Sequence, residues 1–202
     1  MNADADLAQR RRAAVLAGHQ ANESAARQLL ADADPTVRAA ALGALSRMGR
    51  LGPDDLMAAL ADPHPAVRRR ACELAGAAPE ADLLPLLSDP HGSVVEVAAW
   101  ALGERGPRAG SDAVAALARV ATEHDDALCR EAAVAALGAI GDPAGLPAIL
   151  AATTDRPAVR RRAVIALAPF EGPEVDDALR RALGDRDWQV RQAAEDLRDE
   201  NP

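Results

Sequence analysis

Few residues of this 202-residue chain combine a reactive side chain with a spacing that chemistry could use. His64 and His91 stand at matching places in Asp-Pro-His-Pro and Asp-Pro-His-Gly, each two residues after an aspartate, Asp62 or Asp89. Imidazole and carboxylate are zinc donors, yet packed neighbouring helices lie about 8–10 Å apart and one ion needs bonds near ~2.1 Å, so no metal is expected there. Cys72 and Cys129 fall inside helical repeats, where a free thiol behaves as a small core residue in a reducing cytosol, and no disulfide is expected. All 23 basic residues are arginine, which excludes Schiff-base and P-loop lysine chemistry. There is no nucleophile elbow, no glycine-rich phosphate loop and no clustered Cys-His set, and order along the chain singles out no catalytic pair among the carboxylates. These residues predict no catalytic group, no cofactor and no metal, hence a protein that is not an enzyme.

What must position any functional residue is a repeated phrase, Val-Arg-x-x-Ala-x-x-Ala-Leu. Seven copies start at Gln9, Val37, Val67, Val94, Cys129, Val159 and Val190, at intervals of 28, 30, 27, 35, 30 and 31 residues. The second place is Arg10, Arg38, Arg68, Val95, Arg130, Arg160 or Arg191, and the fifth is alanine in every copy: Ala13, Ala41, Ala71, Ala98, Ala133, Ala163 and Ala194. Apolar residues at the first, fifth and eighth or ninth places describe a helix buried along one stripe. Recurrence at this period predicts stacked units, none of which can bury its apolar face alone.

Between these inner helices lie second apolar segments, read as outer helices: Ser24 to Leu30, Pro53 to Leu60, Glu80 to Leu87, Ser111 to Ala121, Pro143 to Ala151 and Pro173 to Leu183. Gly141-Asp142-Pro143 supplies a helix-ending glycine, a capping aspartate and a first-turn proline, and Gly172-Pro173 does similar work. The expected fold is all-α, a right-handed α-solenoid of about six helical pairs, preceded by a capping helix near residues 6 to 17. An unbroken period makes residues 1–202 one domain. With aromatics at 1%, the core must be alanine, leucine and valine. The net charge of −8 disfavours nonspecific attraction to nucleic acid or acidic membranes. MNADADLAQRRR lacks the apolar run of a signal peptide and no 18 apolar residues run together, so a cytoplasmic protein is expected.

DPTVRAAALGAL, DPHPAVRRRACELAG, DALCREAAVAALGAIGD and RPAVRRRAVIAL resemble HEAT repeats of the short, phycobilin-lyase-like type. The resemblance covers nearly the whole chain and implies a ladder in which an aspartate and an arginine join neighbouring repeats. Asp32, Asp62 and Asp185 stand six residues before Arg38, Arg68 and Arg191, while the acid has moved by one place as Asp125 before Arg130 and Asp155 before Arg160. Arginine suits a rung because its planar fork holds two acceptors at once. Val95 lacks that fork, which would leave Asp89 without its rung. None of the four histidines is followed by the glutamate that similarity to deoxyhypusine hydroxylase, a di-iron HEAT-like enzyme, would require. The basic, aromatic groove of HEAT-like DNA glycosylases is also missing.

The fourth copy, SVVEVAAWALGERG, departs most, with Val95 for arginine, a mid-helix tryptophan and the longest interval after it. If the fifth and eighth places face the outer layer, the third, fourth and seventh face the concave side. Those residues are Glu96, Val97 and Trp100, then Glu131, Ala132 and Ala135, then Arg161, Arg162 and Ile165. They predict a protein-binding groove centred on Trp100, Val97 and Ile165, with Glu96, Glu131, Arg161 and Arg162 setting register. In the competing reading Trp100 is buried and fills a gap left by the altered spacing. Three arginine triplets, Arg10 to Arg12, Arg68 to Arg70 and Arg160 to Arg162, either face an acidic partner or balance nearby carboxylates. Trp188 is read as sealing the end of the stack. The expected function is a non-enzymatic scaffold or adaptor for a protein or peptide partner. Resemblance alone offers a lyase-like or chaperone subunit that assists cofactor attachment or maturation of a partner protein.

Overall fold

The computed structural model describes residues 3–200, with side chains over 5–198, and among them are twelve α-helices and no strand. Contacts divide the chain into two units, Met1–Asp82 and Leu83–Pro202.

The first unit contains α1 (Ala3–His19), α2 (Glu23–Leu29), α3 (Pro35–Arg47), α4 (Pro53–Leu60) and α5 (Pro65–Ala75). The inner helices α1, α3 and α5 pack in sequence, with α2 against α1 and α3, and α4 against α5. Start signals are local. Asp34 caps α3 by accepting from the Thr36 N–H, His64 caps α5 through Nδ1 from the Ala66 N–H, and a proline follows each cap. The stripe of α3 is Val37, Ala41, Leu42 and Leu45, each no more than 1% exposed. Burying one such leucine contributes about 1.5–3 kcal/mol.

In α1 the expected register is off by one. Ala13 is exposed while Ala14 is fully buried, and Gln9, the first residue of this copy, is exposed. The buried positions Ala14, Ala17 and Gly18 repeat at helical spacing, so the arginine run misled the alignment of this copy.

The second unit holds α6 (Gly92–Glu104), α7 (Ser111–Glu123), α8 (Ala127–Ile140), α9 (Leu146–Ala152), α10 (Pro157–Ala166), α11 (Pro173–Ala182) and α12 (Trp188–Glu200). Here α6, α8, α10 and α12 form the inner row, with α7, α9 and α11 outside. Ala98, Ala133, Ala163 and Ala194 are fully buried, as the repeat requires. Small residues set the spacing of the row. A Cβ on Gly103 would lie 3.0 Å from the Ala136 Cα, and one on Gly138 only 2.7 Å from the Ala166 Cα. Gly141 ends α8 with φ +69°, and its N–H bonds to the Leu137 carbonyl. Asp142 then accepts from the Ala144 N–H, so the Gly-Asp-Pro punctuation works as read. The 35-residue interval is filled by a 3₁₀ turn at Gly106–Ala109 and by a 13-residue outer helix, α7.

One outer element differs from expectation. Glu80 to Leu87 is not an α-helix but ends in a 3₁₀ turn, Leu84–Ser88, with Leu86 and Leu87 buried. Pro85 has no N–H to bond back, and its ring would clash with the carbonyl four residues earlier, so an α-helix through this position fails.

Candidate partner-binding face and the arginine ladder

In the copies that carry it, the first arginine is a structural tie. In the first unit the Arg38 fork closes on Asp62 at 2.7 and 2.8 Å, and Arg10 Nη1 meets both Asp32 oxygens at 2.6 and 2.8 Å. In the second, Arg130 holds Asp155 at 2.6 and 2.8 Å, and Arg160 holds Asp185 at 2.7 and 2.8 Å. The remaining nitrogen of Arg38, Arg68, Arg130, Arg160 and Arg191 donates to carbonyls of its own preceding turn. Each acid also accepts a backbone amide, Asp62 from His64 and Asp185 from Asp187. Hydrogen bonds from the guanidinium groups hold Asp155 and Asp185 below the usual carboxylate range, against the opposing pull of burial.

The rung runs forward, from the arginine of one copy to the acid of the next turn. The side chain that Val95 leaves without a donor is therefore at position 124, and not at Asp89 or at Asp125, which is exposed; position 124 is a histidine whose Nδ1 accepts from the Asp126 N–H. Both halves of this rung have been replaced. Val95 is fully buried, and the Cys129 thiol donates to the Gly92 carbonyl at 3.3 Å instead. Burial pushes that thiol up to about 11, so it stays protonated and able to donate.

The open face of the inner row in the second unit carries the residues singled out from sequence. Trp100 is 48% exposed, which rules out the buried reading. Glu96, Val97, Trp100, Glu131 and Arg162 line one depression of about 510 Å³, with an alanine floor of Ala132, Ala135 and Ala139. Arg162 Nε lies 3.5 Å from Glu131 Oε1 across it. Ile165 and Arg161 are not part of this depression. They line a second one of about 400 Å³, shared with Trp188, Gln192 and Leu197.

Trp188 does not seal anything: at 64% exposed it is the first residue of α12 and borders that second depression. Leu128, 58% exposed on the first depression, and Glu104 also escaped the sequence reading. Leu128 precedes Glu131 and Ala132 by three and four places, so extending the stripe one turn toward the helix start finds it. Arg69 and Arg70 of the second triplet both pair with Glu73, at 3.1 and 2.7 Å, and thus balance a neighbouring carboxylate. Arg161 makes no ion pair among the described residues. His64 serves as a helix cap, and no group of three or more metal-binding side chains occurs among the described residues.

The profile of HEAT repeats matches residues 53–122 and 80–158, and that of the PBS lyase HEAT-like repeat matches residues 159–185. No curated protein matches the sequence. Among solved structures, the Escherichia coli protein YibA is 18% identical, with a TM-score of 0.65, over 96% of this chain and 73% of its own. A designed armadillo repeat protein in complex with the peptide (KR)4 is 17% identical, with a TM-score of 0.60, over 95% and 97%. An engineered protein is 19% identical, with a TM-score of 0.62, over 88% and 97%. These structures share the fold of helical-repeat solenoids. Because the repeat profile spans more than half of the 202 residues and the arginine rungs tie one helical pair to the next, the chain belongs to the HEAT-repeat family.

Proposed function

We propose that this HEAT-repeat chain is a non-enzymatic scaffold that binds a protein or peptide partner on the open face of α6, α8 and α10. The observation that carries this reading is the half-exposed Trp100 beside exposed Leu128 and half-buried Val97. A tryptophan covers about 150–250 Å² when buried, and at ~25 cal/mol per Å² covering its open half contributes roughly 2–3 kcal/mol. Water pays nothing comparable. Glu96, Glu104 and Glu131 rim the same depression against the single cation of Arg162. The preferred partner therefore presents a large apolar side chain with arginine or lysine next to it.

A net charge of −8 favours such a partner over nucleic acid. No described helix is long and apolar enough to cross a membrane. The buried thiols of Cys72 and Cys129, which form no disulfide, support a reducing compartment, the cytoplasm.

The test is calorimetric titration with a leucine-centred peptide flanked by arginines, a readout that does not depend on Trp100 itself. Saturable binding is expected, weakened at least about tenfold by Trp100→Ala, equivalent to ~1.4 kcal/mol, with the thermal transition unchanged. The peptide (KR)4, which the designed armadillo protein carries, is the control for charge without an anchor and should bind more weakly. Equal affinity of the Trp100→Ala variant and the parent would defeat the reading.

A further inference from the structure

We infer that the partner is an extended segment with two apolar anchors, one seated on Trp100 and the other in a separate subsite made by Ile165, Trp188 and Leu197. This rests on the scaffold reading above and names the second half of its site. Ile165 is 44% exposed and Trp188 64% exposed, and both border the second depression. Two of the large apolar side chains left open to solvent on the inner helices of this unit thus converge there, where the first depression already has Trp100 and Leu128.

The two depressions lie on one continuous face. Helix α10 contributes Arg162 to the first and Arg161 and Ile165 to the second, three residues within five consecutive positions. The first is centred between α6 and α8 and the second between α10 and α12, and these helices pack in that order. Two interaxial steps separate the centres, about 16–20 Å. An extended chain rises about 3.3 Å per residue, so one occupant reaches both with anchors five or six positions apart.

Polar groups along the path favour an extended backbone over a helix. Gln189, Gln192 and Asp196 border the second depression, and Gln192 Nε2 already donates to Asp196 Oδ1 at 2.7 Å, which leaves its carbonyl oxygen to accept. An extended peptide offers unpaired N–H and C=O groups to such amides, whereas a helix has satisfied its own. Charge sets the direction. The carboxylates of Glu96, Glu104 and Glu131 outnumber Arg162 and call for basic residues at the Trp100 end, while Arg161 and Asp196 balance each other at the other end, which makes no such call.

Four synthetic peptides test this by calorimetric titration of the full chain: an arginine-flanked leucine alone, the same with a second leucine six positions away, with that leucine two positions away, and with it twelve positions away. The six-position peptide is expected to bind at least about tenfold more tightly than the single-anchor peptide. Trp188→Ala should erase that gain while leaving the single-anchor affinity unchanged. Affinity independent of spacing, a gain only at twelve positions, or a gain that survives Trp188→Ala overturns the two-anchor inference and leaves the Trp100 site standing. Absence of binding by every peptide overturns both. Trp188 is exposed, so its replacement leaves the fold intact, and a helical circular dichroism spectrum with an unchanged transition verifies that.

Discussion

Arg160 is the most deeply placed member of the ladder, with its side chain 8% exposed and that of Asp185 15% exposed. Removing one partner strands the other next to the core. Arg160→Ala is therefore expected to lower unfolding free energy by about 2–4 kcal/mol, read from urea midpoints, whereas Arg180→Ala, whose ion pair with Asp177 is largely exposed, should change it by under about 0.5 kcal/mol. The ladder also fixes the response to acid. Asp155 and Asp185 titrate lower in the folded chain than in the unfolded one, so the unfolded chain takes up protons first as pH falls. Their stabilisation is complete above the ordinary aspartate value of about 3.9 and drains away as pH falls through the lower folded values. Urea midpoints should hold level on this account down to about pH 5 and drop below about pH 4, with a shallower drop in Asp185→Asn.

At the scale of elements, the spacing of the inner row depends on residues without side chains. A methyl on Gly138 would press on the backbone of Ala166, which cannot step aside without moving α10. Gly138→Ala should destabilise by about 1–3 kcal/mol, even though alanine is the better helix former by ~1 kcal/mol. Gly184 offers a control, since its nearest neighbour would be 3.6 Å away, and Gly184→Ala should be neutral or stabilising by up to about 1 kcal/mol. The rung lost between α6 and the turn before α8 makes a second element-scale prediction. Val95→Arg alone buries an unpaired cation, and His124→Asp alone gains no donor. Together they should recover at least about 1 kcal/mol relative to the sum of the single changes in a double-mutant cycle. Additive effects would mean that position 95 does not face position 124.

For the molecule as a whole, reading residues 1–202 as one domain predicts a single calorimetric transition, because an array passes stability between neighbouring repeats. Two separated transitions would divide it at residues 82 and 83, where the contacts divide. The periodic alanine and arginine positions made the helical pairs legible, because burial of one stripe and a repeated charge pair leave a mark at a fixed interval. Register in α1 did not, since three consecutive arginines give the same local pattern at several offsets and only neighbouring α3 selects Ala14. The stripe through Glu96, Val97 and Trp100 was legible for the same periodic reason, but its division was not: Ile165 and Trp188 share a depression only because α10 and α12 are packed side by side. Order along the chain thus settled that the repeats are helical pairs, Glu80 to Leu87 excepted, which stripe is buried from α3 onward and which amino acids can tie one pair to the next. Exposure of Trp100, the forward direction of each rung and the pairing of Ile165 with Trp188 were decided by packing between helices, because each depends on distances between residues that local periodicity does not encode.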